Sequence, residues 1–467
     1  MTSSLQSSAG RVFLWQRVNQ AVYLARNIVL ARYIVPADYG DFATGLNLAS
    51  YVAILSALEF RTAFFSRTDL ADDAMRTQWS VEVLLNLLAL LVGLALTPWM
   101  IGKYSTGIAA AMVGMLAVGV LEASYSTHLY LTEKRMEFPF LTVLRTLVNL
   151  ASFAFCFALA VGGWGWKALL ADRIAISALT GIALWHKAGW RPSFRLHRPS
   201  LGWYWGFVSV MFLNAIWSKI LFGFDVFAIA RRLGAEATGL YSMALKWALI
   251  PMELGAGFLA VMALSLYSKE RAKGPEAIRA AYGEVTFHIV RFSAGIAVLM
   301  ALFMEDFFRL AYGPEWRGVP AVFLALVPYA VWRPLYQNVC QGLQALQRLW
   351  FIFRVMTLQG VAAVVAIWWL APKGLAPAAL AVGGAIGLGH LLLEWRIWRE
   401  TRYPLLRVFL WPLLLGSCAL ATLALSVPPE RAFILKMVVG LAYVALAAGE
   451  WAVGRRRFIS PASITST

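Results

Sequence analysis

Apolar stretches long enough to cross a membrane follow one another along almost the whole chain, and no connection between them can hold a separate domain. A helix rises 1.5 Å per residue, so about 20 residues cross the apolar core of a bilayer. Such stretches stand near residues 11–33, 41–66, 78–101, 106–131, 138–162, 165–186, 202–231, 237–267, 285–312, 318–345, 349–371, 374–396, 406–427 and 432–453. That makes about fourteen spans, the fifth and sixth parted only by Gly162, Gly163 and Trp164. Connections reach about 20 residues at most. A backbone in lipid must satisfy its own hydrogen bonds, and stretches of this length do so as helices. The expected fold is all-α and polytopic. Only 14% of the 467 residues are charged and 60% are hydrophobic, too apolar a balance for a soluble domain of this size.

A formal net charge of +17 would suit a nucleic-acid binder in a soluble chain. Here the basic residues sit in the short connections, which points to membrane topology and away from nucleic acid. One set of connections holds Arg61, Arg67 and Arg76, then Lys134 and Arg135, then Lys187, Arg191, Arg195 and Arg198. It continues with Lys269, Arg271, Lys273 and Arg279, with Arg396, Arg399 and Arg402, and with the tail Arg455, Arg456 and Arg457. The alternate set is poorer: Lys103, Lys167, Arg231, Arg232, Arg317, Lys373 and Arg431. The positive-inside rule makes the rich set cytoplasmic, and an even count places both termini there. Cys156, Cys340 and Cys418 stand singly, and His128, His186, His197, His288 and His390 have no ligand spacing. No disulfide, metal or cofactor is expected.

The most basic link, His186 to Ser200, falls near the middle of the chain. It suggests an N-lobe of six helices over 1–190, a cytoplasmic linker over 191–200 and a C-lobe of helices seven to twelve over 201–400. Residues 401–467 then hold two extra helices and a basic tail. An internal repeat supports the division. An ungapped shift of 199 residues carries Ala31, Arg32, Ile34, Gly40 and Phe42 onto Ala230, Arg231, Leu233, Gly239 and Tyr241. Parallel repeats relate two lobes about an axis normal to the membrane, with cargo bound between them.

The first span carries a polar stripe. Gln16, Asn19, Gln20, Tyr23, Arg26 and Asn27 share one helix face, opposite Val18, Ala21, Val22, Ala25 and Ile28. Charge in mid-membrane is expensive without a partner or water, so this face is expected to line an aqueous cavity. The repeat carries Gln20 to Lys219, Arg26 to Asp225 and Asn47 to Lys246. Asn47, Ser50 and Arg61 follow a face of helix two toward the cytoplasm. Lys246 and Glu253 lie two turns apart on helix eight, and Arg333 stands near the middle of helix ten. The expected cargo ligands are therefore Arg26, Asn47, Arg61, Lys219, Lys246 and Arg333. A basic lining in a low-dielectric cleft attracts an anion, and the planar arginine fork suits phosphate. Asp225 and Glu253 are expected to couple an ion or pair the lobes. The structural reading beside this one pairs Arg26 with Asp225 and Lys246 with Glu253. Arg11, Arg17, Arg145, Arg291 and Arg354 are assigned to snorkelling at cytoplasmic helix ends, and Glu305 and Asp306 to a wetted outer end. Gly383, Gly384, Gly387 and Gly389 are assigned to close helix packing.

Three turns carry a family resemblance. Ala31-Arg32-Tyr33-Ile34-Val35-Pro36-Ala37-Asp38-Tyr39-Gly40-Asp41-Phe42 resembles the opening signature of bacterial polysaccharide (O-antigen type) flippases, in the multidrug/oligosaccharidyl-lipid/polysaccharide exporter superfamily. Asp225 to Ala230, then Gly234-Ala235-Glu236-Ala237-Thr238-Gly239-Leu240-Tyr241, resembles the family's turn between helices seven and eight. Tyr312-Gly313-Pro314-Glu315-Trp316 resembles its turn after helix nine. The resemblance implies two six-helix lobes around a central cavity, two extra C-terminal helices and alternating access. It implies transport, not catalysis, of a polyprenyl-pyrophosphate-linked oligosaccharide from the cytoplasmic to the outer leaflet of the bacterial cytoplasmic (inner) membrane, for surface polysaccharide biosynthesis. The partners it implies are that substrate, membrane lipids, a proton or sodium counter-ion and a polysaccharide polymerase. The alternative on the same fold is a cation-coupled multidrug exporter. Arg26, Lys219, Lys246 and Arg333 argue against that cargo, while Asp225 and Glu253 argue for it. A glycan polymerase or ligase would need a larger outer loop than this chain has.

Overall fold

The computed structural model describes residues 18–22, 24–56, 60–66, 71–425 and 428–459. Both termini lie outside the described residues, as do Arg11, Gln16, Arg17, Tyr23 and Arg67 and the side chains of Arg455, Arg456 and Arg457. The described residues are helical throughout, with no strand. In order they form α1 (18–22 and 24–30), α2 (Pro36–Val52), α3 (Phe60–Ser66), α4 (Asp72–Lys103), α5 (Thr106–Lys134), α6 (Phe138–Val161), α7 (Trp166–Ala188) and α8 (Arg198–Leu221). There follow α9 (Phe224–Ala248), α10 (Gly257–Arg271), α11 (Pro275–Ala311), α12 (Val319–Ala345), α13 (Leu349–Leu370), α14 (Leu375–Thr401), α15 (Leu405–Ala421) and α16 (Pro429–Ile459). Ten of the described helices are long and apolar enough to cross a membrane.

Proline, acidic first turns and one serine cap mark the starts of several helices. α2 begins at Pro36, ahead of the apolar run, because proline at the first position has no N–H to leave unpaired. α4 extends past its apolar centre, with Asp72 and Asp73 at its positive end and Lys103 in its last turn. The Ser105 hydroxyl caps α5 by accepting from the Ile108 N–H at 3.1 Å. The second span is broken: a 3-10 turn over Ala53–Leu55 ends α2 before α3 begins. α9 is broken too, at Gly234, whose φ of 86° no L residue adopts easily.

The described chain separates into two compact units, one ending at Gly239 and one beginning at Leu240. In the first, small residues bring helices close. A side chain at Gly45 would meet Ala111 and Met112, one at Gly93 would meet Leu116, and one at Gly114 would meet Leu170. Lipid supplies no hydrophobic drive between helices, so this close approach is what holds them. The Pro36–Phe42 signature is part of the same packing. The Asp38 carboxylate sits against Gly165, and that of Asp41 against Gly107. The link after α7 is stitched to the start of α4. Arg195 pairs with Asp73 at 2.8 Å, the His197 N–H donates to Thr77 Oγ1 at 3.0 Å, and the Trp190 indole donates to Asp72 at 2.8 Å.

In the second unit α12 is central, with 72% of its apolar window buried, and α16 is peripheral, with 11%. Gly383 and Gly387 of α14 admit Tyr329 and Trp332 of α12, and Gly389 admits Gln359 of α13; Gly384 has no neighbour. A polar network crosses this core. Tyr282 and Tyr403 donate to the Glu394 carboxylate at 2.9 and 2.5 Å, and Tyr267 donates to Asn338 at 2.8 Å. Two expectations are corrected here. Arg291 does not snorkel: its guanidinium is 4% exposed, pairs with Glu450 of α16 through both carboxylate oxygens and reaches the Val408 carbonyl at 3.1 Å. Asp306 is buried, not wetted, and bonds Lys436 of α16 at 2.8 Å. Both partners lie more than a hundred residues away in sequence, so helix-end position misleads.

Removing one member of a buried pair strands the other charge and costs about 3–5 kcal/mol, whereas replacing both with apolar residues is often neutral. Glu450→Ala is therefore expected to lower the thermal midpoint in detergent sharply, and Arg291→Met with Glu450→Leu to recover most of it. Equal losses would dismiss the ion pair as the tie between α11 and α16.

Candidate cargo site

The eight residues singled out from sequence divide between the units. Arg26, Asn47, Arg61, Lys219 and Asp225 belong to the first, and Lys246, Glu253 and Arg333 to the second.

The polar stripe of α1 is engaged from inside the first unit. Asn19 accepts from the Asn149 amide of α6 at 3.4 Å. Arg26, one face and two turns further on, forms an ion pair with Asp172 of α7, whose side chain is 3% exposed. The structural alternative to a cargo role paired Arg26 with Asp225. Asp172 takes that place because α7 packs along the same face, and nothing in the local spacing marks it. Arg26 is thus neutralised within its own bundle.

Asn47 also meets protein. Its Nδ2 donates to the Gly223 carbonyl at 3.1 Å, and one turn on, the Tyr51 hydroxyl donates to the Lys219 carbonyl at 3.4 Å. Both converge on the break between α8 and α9, where a side chain at Gly223 would collide with them. Asp225, in the first turn of α9, is 3% exposed and accepts from its own neighbour's amide, Val226 N–H, at 2.8 Å; a carboxylate there suits the positive end of the helix.

Lys219 differs from these. It is half-buried near the end of α8, and among the described residues no carboxylate stands within ion-pair distance of its ammonium. A cation held in an apolar bundle without a counter-charge is a standing attraction for an anion. Arg61, on α3, is more conventional. Its Nε bonds Glu133 at 2.9 Å and its guanidinium lies 5.2 Å from the Phe65 ring, yet the side chain is 58% exposed and screened.

In the second unit, Glu253 lies in a π-helical turn, Met252–Ala256, that follows Pro251. Such turns arise where the regular helix ladder is interrupted, and they recur at functional positions. Arg333 sits between Pro328 and Pro334 on α12, and Lys246 in the last turn of α9; both are partly buried, whereas Glu253 is exposed. Among the described residues no group of histidines, cysteines and carboxylates could hold a metal ion. Sequence reasoning missed Asp172 and Glu450. The only signal for either was a lone carboxylate within a long apolar run.

Membrane-length helices with charges paired inside them define a multi-pass membrane protein. The whole architecture is similar to a solved structure of the lipid II flippase MurJ in its inward closed conformation, with a TM-score of 0.72, 13% identity, and coverage of 95% of this chain and 100% of that one. The chain belongs to the polysaccharide biosynthesis protein family, whose sequence profile matches residues 29–322. It is similar to the teichuronic acid biosynthesis protein TuaB of Bacillus subtilis (strain 168), at 20% identity over 291 residues, 61% of this chain and 59% of that protein. It is also similar to the amylovoran biosynthesis protein AmsL of Erwinia amylovora, at 24% identity over 277 residues, 58% of this chain and 70% of that one. The match thus spans little more than half the length of TuaB.

If Arg26 serves Asp172, the charge swap Arg26→Asp with Asp172→Arg is expected to restore the folded yield and thermal midpoint lost in Asp172→Ala. A swap that stays as unstable as the single variant would break that assignment.

Proposed function

We propose that this protein flips a polyprenyl-pyrophosphate-linked oligosaccharide from the cytoplasmic to the outer leaflet of a bacterial cytoplasmic membrane, for surface polysaccharide biosynthesis. The observation that carries the reading is Lys219, a half-buried ammonium with no described carboxylate beside it. A pyrophosphate is the lipid-borne group that such a cation favours most, since charge-assisted bonds strengthen where water is scarce. Family membership and the names of TuaB and AmsL support a polysaccharide pathway. The fold shared with MurJ supports movement of a lipid-linked cargo.

In this reading the membrane holds fourteen spans in two six-helix lobes, 1–190 and 201–400, and both termini face the cytoplasm. Exposed Arg61 receives the pyrophosphate on the cytoplasmic side, and Lys219 holds it within the membrane. Lys246 and Arg333 offer further cationic contacts, while Arg26 holds α1 in place through Asp172. Asp225 or Glu253 couples the cycle to a proton or sodium ion, the π-helical turn at Glu253 being the more deformable of the two sites. A polymerase receives the flipped lipid. No bond is made or broken in the cargo, so the protein is not an enzyme.

Reconstitution into liposomes with a fluorescent polyprenyl-pyrophosphate oligosaccharide tests this directly. Protein-dependent exposure of the lipid in the opposite leaflet is expected. Lys219→Ala should slow it about tenfold, the equivalent of losing ~1.4 kcal/mol of anion binding, and Lys219→Arg should keep most of the rate. No exposure from folded protein with several glycans would overturn the flippase and make efflux of cationic dyes the next assay.

A further inference from the structure

The two copies of the repeated turn meet each other. Gly40, early in α2, and Gly239, in α9, lie backbone to backbone. A side chain on Gly40 would overlap the Ala235 carbonyl, and one on Gly239 would overlap the Pro36 carbonyl. The 199-residue shift turns Pro36 into Ala235 and Gly40 into Gly239, so each contact is the image of the other. An approximate local twofold axis therefore runs between the two turns. Neither glycine has a positive φ, so glycine serves here for close approach, not for backbone conformation. Ile34, Tyr39 and Thr238 are buried around the contact.

The closure continues down α2. Asn47 bonds the Gly223 carbonyl at 3.1 Å and Tyr51 bonds the Lys219 carbonyl at 3.4 Å. From Gly40 to Tyr51 is 11 residues of chain, about 16 Å of helix. This seam covers the part of α2 nearest the turn after α1, which the charge pattern places on the outer side. It ends beside the residue proposed to hold the cargo.

We propose that this seam is the outer gate of the transport cycle: Gly40 and Gly239 seal it, and Asn47 and Tyr51 latch it. It is closed in this structure. Its construction suits repeated opening. Two glycine turns part without unpicking interlocked side chains, and the latch bonds reach main-chain carbonyls at a helix break, where water can replace the donors. Asn47 is on this account a positioning residue of the gate, not a cargo ligand. The gate rests on the flippase reading only for what passes through it.

The test needs no cargo. Cys156, Cys340 and Cys418 are replaced by Ala, and Lys219→Cys serves as the reporter. A membrane-impermeant maleimide is applied to right-side-out and inside-out vesicles. The parent is expected to react mainly from the cytoplasmic side. Gly40→Val and Gly239→Val should each raise the outside rate about tenfold or more, as expected when one state is sterically excluded. The double variant should add little, because either side chain alone holds the turns apart. Asn47→Ala carries no steric load, so it decides the matter even where a valine variant fails to fold; a smaller rise, about threefold, is expected. Unchanged outside labelling in Asn47→Ala and in every folded glycine variant overturns the gate, as does a parent labelled equally from both sides. Lipid flipping is scored separately in protein that keeps Lys219; altered labelling with no flipping there would defeat the cargo reading and leave the gate. Flipping with unaltered labelling would do the reverse.

Discussion

An ionised side chain surrounded by hydrocarbon costs more than any one helix contact returns, so the search for counter-charges decides which helices must be neighbours. Arg26 draws α1 to α7 through Asp172, and Arg291 draws α16 to α11 through Glu450. Lys436 repeats the second tie at the other end of α16, through Asp306. Glu394 is satisfied by two tyrosine hydroxyls instead of a cation, which keeps the α11–α14 core polar but orders it tightly. Set against this pattern, Lys219 stands out chemically. It is half-buried with no described carboxylate beside it, and the proposed function gives it the pyrophosphate of the cargo.

Between those ties the helices are held by closeness alone. Glycines at 45, 93 and 114 in the first unit, and at 383, 387 and 389 in the second, let backbones and bulky side chains meet across the interface. The Gly40–Gly239 seam uses the same device for a different end. A contact of small residues at fixed positions is close-packed when shut and leaves no tangled side chains when it parts. Static packing and gating thus draw on one physical resource, and what separates them is what stands beside the glycines. Gly45 and Gly93 serve a core closed by Met112 and Leu116, whereas Gly40 is backed by a latch of neutral hydrogen bonds.

Much of this was legible in residue order. Twenty-residue apolar runs dictate helices because lipid offers the backbone no partner, and the uneven spread of arginine and lysine between alternate loops sets an expected orientation. The Pro36–Phe42 signature and its echo at Ala235–Tyr241 marked a special turn before any contact was known. The polar face of α1 was legible as well, though its meaning was not. Periodicity shows that Asn19 and Arg26 share a face, but not which helix will pack there, and the answer was α6 and α7.

The sequence by itself determined the class of fold, the repeat and the list of charges that had to be explained, because each follows from local periodicity and the cost of transfer into lipid. Only the tertiary structure decided which charge neutralises which, since Arg291 and Glu450 are 159 residues apart and no local rule joins them. It likewise decided that the two signature turns touch through their glycines, and that Asn47 bonds main chain while Lys219 meets no described carboxylate. Pairing is a property of helices brought side by side, and no one stretch of chain holds both partners.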